Sequence, residues 1–142
     1  MSGLYATFML AGHHLGVDVL EVQEVLSAQA LTPVPLARAT VEGLINLRGQ
    51  IVPALNLRRL LLMPPRPPET PAVSVVVRTE NGAVSLQVDE IGDVVELDAA
   101  AFEPPPRNLD DRLKRVIRGI YKLDRQLLLV LDTGRTVMAE AE

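Results

Sequence analysis

The feature that most constrains the fold is that the chain echoes itself. Val19-Leu20-Glu21-Val22-Gln23-Glu24-Val25 returns 69 residues later as Val88-Asp89-Glu90-Ile91-Gly92-Asp93-Val94. In the same register, Phe8 falls on Val77 and Val17 on Leu86. A second echo is spaced by 76 residues. Gly43-Leu44-Ile45-Asn46-Leu47 falls on Gly119-Ile120-Tyr121-Lys122-Leu123, Gln50 on Gln126, Leu55 on Leu131 and Asn56 on Asp132. Two collinear echoes point to a duplicated unit of about 70 residues. A unit that short buries a limited core alone, so two copies are expected to pack over a shared one. The pseudo-repeat halves run over about 4–63 and 72–137. Between them lies a Pro-rich connector, 64–71. Proline has fixed φ and no backbone donor, so this is read as a stiff, extended link.

The unit is built of strands. With aromatic residues at 3% and no Trp, the core must be Val, Leu and Ile, and the β-branched share suits strands. Residues 4–10 and 15–20 flank a turn at Ala11-Gly12-His13-His14. Residues 73–78 and 83–88 flank Asn81-Gly82, a stronger hairpin signal because both residues tolerate positive φ. Residues 127–131 read as a buried final strand that Asp132-Thr133-Gly134 stops. Two short helices are expected. One spans 35–43, opened by Pro35 and ended by Gly43. The other spans 109–120, where Leu109, Leu113, Val116, Ile117 and Ile120 recur at helical spacing behind Asn108 as cap.

The composition argues against several functions. The net charge of −4 speaks against nucleic acid or an anionic membrane as the main partner. Arg112, Lys114, Arg115 and Arg118 form one basic patch, but without aromatic stacking partners it reads as the wet side of an amphipathic helix. The absence of cysteine excludes disulfides, cysteine metal sites and thiol catalysis. His13 and His14 are adjacent, and strand neighbours point to opposite sides, so no metal is expected there. Asp18, Glu21 and Glu24 read as a solvated face. No phosphate-binding glycine loop or Ser-His-acid set is visible, so neither a cofactor nor an enzyme is expected. The N-terminus lacks the basic start and apolar run of a signal peptide, and no stretch approaches the ~18 apolar residues of a membrane span. A cytoplasmic location is expected.

One stretch looks built to bind. Gly43-Leu44-Ile45-Asn46-Leu47-Arg48-Gly49-Gln50-Ile51-Val52-Pro53 holds Arg48 between two apolar runs, with turn chemistry from Asn46 and Gly49. A permanent cation there has little packing role.

Taken in order, these elements resemble the CheW family, the coupling proteins of bacterial chemosensory systems. The resemblance runs from about Tyr5 to Val137. It rests on the strand Gly16-Val17-Asp18-Val19, the segment Val22-Gln23-Glu24-Val25, the stretch Gly43 to Pro53, Asn56-Leu57-Arg58, and Val88-Asp89-Glu90-Ile91. It implies an all-β fold of two SH3-like five-stranded β-barrels sharing a hydrophobic core, with one or two short helices. It implies a non-catalytic, stand-alone adaptor. Its partners would be the cytoplasmic coiled-coil tip of a chemoreceptor and the regulatory domain of a CheA-type histidine kinase. Recruitment to receptor arrays and CheW-like self-association in rings follow from the same resemblance. Carried onto this sequence, the receptor- and kinase-binding residues would be Val22, Gln23, Glu24, Gly43, Leu47, Arg48 and Gly49, with Val88 lining the groove between barrels. Gly43 and Gly49 also read as turn residues, and Val22 and Val88 equally as core. Two alternatives stand beside this reading. One is an adaptor of a non-flagellar pathway controlling surface motility or second-messenger output. The other is a small-barrel nucleic-acid-binding module. Asn56 departs from the family pattern, where Asp is common. The second half has Lys122-Leu123-Asp124-Arg125-Gln126 in place of the Arg-Gly turn.

Overall fold

The computed structural model describes residues 2–27, 29–35 and 37–141. The first run of strands is β1 (Ser2–Leu10), β2 (His13–Asp18), β3 (Val22–Leu26), β4 (Val41–Leu47) and β5 (Gln50–Asn56), followed by helix α1 (Leu57–Leu60). The second run is β6 (Val73–Thr79), β7 (Gly82–Val88), β8 (Glu90–Asp98), β9 (Ile117–Leu123) and β10 (Gln126–Leu131). Helix α2 (Asp111–Val116) precedes β9, and α3 (Thr133–Ala141) follows β10.

These strands form two five-stranded sheets, β8-β1-β2-β10-β9 and β3-β6-β7-β5-β4. Laying β6–β10 over β1–β5 converts one order into the other. Each sheet therefore takes two strands from one half of the chain and three from the other. The sequence left open whether the last strand crosses; in fact three strands cross in each direction. Short 3-10 turns, Val19–Glu21 and Ala99–Ala101, follow β2 and β8. The first carries the chain from one sheet to the other, capped by Asp18 Oδ1, which accepts from the Leu20 amide at 2.9 Å. The crossing strands pair in parallel at matching positions, Val130 with Gly16 and Ala54 with Ser85.

Strand alternation builds the shared core. Phe8 and Leu10, Leu15 and Val17, Val75 and Val77, Leu86 and Val88, and Leu129 and Leu131 are all buried between the sheets. The alternate residues fill a smaller core inside each sheet: Ile45, Val52, Ala54 and Val76 in one, and Tyr121, Leu128 and Val130 in the other. From Leu128 to Leu131 β10 is buried on both faces, which accounts for its unbroken apolar run; Leu127, expected to be buried with it, is 40% exposed. Each fully buried aliphatic side chain contributes roughly 1.5–3 kcal/mol. The sheets are SH3-like, but their ladders stay open, with β8 and β9 ending one and β3 and β4 the other.

The two sheets share local devices. Thr32 exchanges both backbone hydrogen bonds with Leu44, as Glu103 does with Ile120. Beneath these crossings lie Gly43 and Gly119. A Cβ on Gly43 would stand 2.8 Å from the Thr32 oxygen, and one on Gly119 2.5 Å from the Glu103 oxygen and 2.2 Å from the Phe102 ring. Glu42 and Arg118 are the extra residues of matching bulges.

The helices depart from expectation. No helix forms over 35–43 among the described residues, with Leu36 lying outside them. The end of that segment is taken into β4 instead, where Val41 pairs with Leu55 and Gly43 with Ala54. The helix expected over 109–120 ends at Val116, because Ile117, Ile120 and Tyr121 are recruited to β9. Its cap is Asp110, accepting from the Arg112 amide at 2.8 Å, rather than Asn108. Helices α1 and α3 were not anticipated. Asn56 caps the first through the Arg59 amide, at 3.1 Å, and Asp132 caps the second through the Arg135 amide, at 3.0 Å.

Candidate functional site

The candidate site is the turn between β4 and β5, facing β3. Arg48 and Gly49 are its two central residues, with φ of 51° and 87°. Both are positive, as a tight two-residue hairpin turn requires. Asn46 Oδ1 accepts from the Gly49 amide at 3.0 Å and steadies the turn. A Cβ on Gly49 would meet nothing within 4 Å, so that glycine is needed for its backbone alone. Arg48 occupies a conformation that costs an L side chain about 1–2 kcal/mol.

The β3 strand is shaped to meet the turn. Val22 pairs with Val77 and Glu24 with Val76, so Gln23 is a bulge. Regular alternation would send Gln23 and Glu24 to opposite faces; the bulge lets both reach the turn. Arg48 Nη1 donates to Glu24 Oε1 at 3.3 Å, and Nη2 donates to Oε2 in a bidentate pair. Gln23 Nε2 donates to Gln50 Oε1 at 3.5 Å. β3 and β4 are the two edges of one sheet, so these side chains latch an end that no backbone ladder closes. The hydrogen bond that Arg48 donates to Glu24, followed by the Glu24 charge, holds Arg48 above its ordinary pKa. The Arg48 side chain remains 72% exposed and that of Glu24 only 20%.

Of the residues singled out in the sequence, Gln23, Glu24, Leu47, Arg48 and Gly49 come together. Leu47 is buried behind the turn with Ile45 and Val52. Val22 is half-buried against the shared core. Gly43 is covered by the chain's own Thr32. Val88 is fully buried in the shared core. Sequence reasoning passed over exposed Val25 and Ile51, which flank Glu24 and Gln50 on their strands. The signal for Ile51 was present: alternation turns it away from buried Val52.

A second polar node joins the two sheets. Arg58 Nε and Nη2 donate to Asp89 Oδ1 and Oδ2 at 3.0 and 2.6 Å, and the Ala11 amide donates to Oδ2 at 2.7 Å. Burial pushes the Asp89 carboxyl up, but the bonds from Arg58 and Ala11 outweigh it and leave it below its ordinary value. Asn56 and Asp132 make a matched contrast. The Asn56 amide donates to Glu42 at 2.7 Å, while Asp132 lies 3.9 Å from Arg118. The basic patch is wired internally: Arg112 pairs with Asp110, Lys114 donates to the Arg107 carbonyl, and Arg118 pairs with Glu21. Among the described residues, no group of three or more His, Asp or Glu side chains could hold a metal, and no helix is long and apolar enough to cross a membrane.

Two intertwined SH3-like sheets with a latched polar turn define a β-sheet module whose distinctive exposed chemistry suits protein contacts. The chain belongs to the CheW-like domain family, whose model matches residues 4–140. It is 29% identical to the chemotaxis protein CheW of Thermotoga maritima, over 92% of this chain and 85% of that protein. It is 28% identical to the chemotaxis protein CheW of Treponema pallidum, over 89% and 76%. Its fold matches the crystal structure of the scaffolding protein TtCheW from Thermoanaerobacter tengcongensis with a TM-score of 0.83. That match has 28% identity and covers 92% of this chain and 89% of that one.

Proposed function

We propose that this chain is a non-catalytic, cytoplasmic scaffold that couples chemoreceptor tips to the regulatory domain of a CheA-type histidine kinase. The observation that carries the reading is the family match across residues 4–140, with chemotaxis CheW proteins among its relatives. The latched turn supports it locally. Gln23, Glu24, Arg48 and Gly49 present polar groups at one end of a rigid sheet, and exposed Val25 and Ile51 lie beside them. An amphipathic receptor helix needs such a mix of apolar surface and oriented charge. In this reading Leu47, Gly43 and Val88 act from behind, by setting the shape of the sheets that carry the contact residues.

The test is co-sedimentation of the protein with receptor-tip coiled coils and the cognate CheA-type kinase, with autophosphorylation read in the same samples. A ternary complex with raised kinase activity supports a coupler. Binding without activation would make it a competitor or array modulator, and no binding to either partner would overturn the reading.

A further inference from the structure

Neither half of the chain builds a sheet by itself. The ladders β1 to β8, β2 to β10, β3 to β6 and β5 to β7 all join a strand of one half to a strand of the other. The shared core is mixed in the same way, with Phe8, Leu15 and Leu55 packed among Val77, Leu86 and Leu129. The surface that each half buries is therefore extensive and specific. It is also indifferent to whether the other half belongs to the same chain. One segment holds the two halves of a molecule together, residues 61–72 between α1 and β6.

That segment is poorly suited to folding back. It carries Pro64, Pro65, Pro67, Pro68 and Pro71, whose fixed φ favours extension. The chain leaves α1 through Leu62, a leucine 71% exposed and held at φ 54°, a conformation natural to glycine. The start of the segment is tied to its neighbours: the Leu62 amide donates to the Arg59 carbonyl at 3.1 Å, the Met63 amide to the Arg58 carbonyl at 2.7 Å, and Arg112 Nη1 to the Leu62 carbonyl at 3.2 Å. Beyond Met63 further bonds hold the fold-back. The Thr70 amide donates to the Pro67 carbonyl at 3.0 Å, Arg66 Nε to the Thr70 carbonyl at 2.9 Å, and Arg58 Nη1 to the Pro64 carbonyl at 2.7 Å.

We propose that two copies of this chain exchange halves, β1–β5 of one pairing with β6–β10 of the other. The resulting dimer has two bodies that repeat the monomer's contacts, joined by two extended connectors. The partner is a second copy of this chain, and the recognition surface is the interface between halves. A connector this short holds the halves at about millimolar effective concentration, so the closed monomer dominates in dilute solution. Exchange takes over when chains fold together at high concentration or when the connector cannot make its turn. Such a dimer presents the Arg48 turn twice.

The test uses two full-length preparations carrying different tags. They are mixed either in the native state or after joint unfolding in urea and refolding at about millimolar concentration. Mass by light scattering and capture through one tag are read. Native mixing should give monomers without co-capture. Joint refolding should give a species of twice the mass that carries both tags and survives dilution, because separation requires unfolding. Deleting residues 67–70 removes the turn and should make the dimer the main form on purification. Leu62→Gly should return the refolded population toward monomer. The proposal is overturned by wild-type protein that refolds only as monomer at every concentration. It is equally overturned by a dimer that forms on native mixing, which is surface association, or by a folded monomer from the deletion variant. If that variant fails to fold, the refolding of the intact chain decides alone.

Discussion

Arg48 and Glu24 meet across the end of a sheet whose two edges share no ladder, so a side-chain pair takes the place of backbone closure. By the spacings that align the two halves, the other sheet has Asp93 and Asp124 at the corresponding positions. Two carboxylates cannot latch each other, so only one of the two sheets carries this device. That asymmetry singles out the Arg48 end of the molecule as the specialised one.

The glycines beneath the crossing segments are there for space. Gly119→Ala would drive a Cβ into the Phe102 ring and the Glu103 carbonyl, and Gly43→Ala into the Thr32 carbonyl. Overpacking of this kind costs about 1–3 kcal/mol. Urea unfolding should show both variants destabilised, Gly119→Ala more severely.

Asn56 is matched to Glu42. Asn56→Asp would replace a donor 2.7 Å from the Glu42 carboxylate with a second carboxylate. One of the pair must then hold a proton, so its pKa rises above the unfolded value. A raised folded pKa gives stability that is present at low pH and lost as pH rises. The variant should therefore be about 1–3 kcal/mol less stable than wild type at neutral pH and recover on acidification. Adding Glu42→Arg copies the Arg118–Asp132 pair of the other half and should restore neutral-pH stability in thermal melts.

Asp89 sets the acid limb. Its carboxyl is lowered from 3.8 by Arg58 and the Ala11 amide, against its own burial. The stability it supplies is complete above the unfolded value and is lost as pH falls through the lower folded one. Asp89→Ala leaves the Arg58 guanidinium, 13% exposed, without its carboxylate. The loss should be about 1.5–3 kcal/mol at pH 7 and should shrink toward zero in strong acid, measured by urea unfolding at each pH.

Tyr121 sets the alkaline limb. Burial, together with the hydroxyl contact to Tyr5 at 3.3 Å, pushes its phenol up to about 12. The unfolded phenol ionises near 10, so stability from this group is present below that value and lost as pH rises toward the folded one. Absorbance titration should show one tyrosine ionising well above the ordinary range, and Tyr5→Phe should lower it.

Much of this fold was legible from local pattern. Phe8 and Leu10 or Leu15 and Val17 alternate as strand residues facing a core must, and the Gly43/Gly119 echo marks two structurally matched crossings. The exchange of strands between sheets was not legible, because pairing β10 with β2 is a choice between segments more than 100 residues apart. Ile117 and Ile120 have helical spacing as well as strand propensity, and pairing with β10 decides between them. At the site, the Arg48-Gly49 turn was visible, whereas its partner Glu24 was found only through the family resemblance. The bulge at Gln23 that swings Glu24 toward Arg48 is a register shift against β6, which no local pattern encodes.

In the proposed function, the Arg48 end of the molecule makes the coupling contact. The direct measurement is co-sedimentation with receptor tips and kinase for wild type, Arg48→Glu, and the reversed pair Arg48→Glu with Glu24→Arg. Arg48→Glu should melt only slightly below wild type, since the Arg48 side chain is 72% exposed, and the reversed pair should recover that loss. Arg48→Glu should lose at least tenfold in complex formation and kinase activation. The reversed pair should regain the latch without regaining partner binding. Unchanged ternary assembly with Arg48→Glu would contradict the claim.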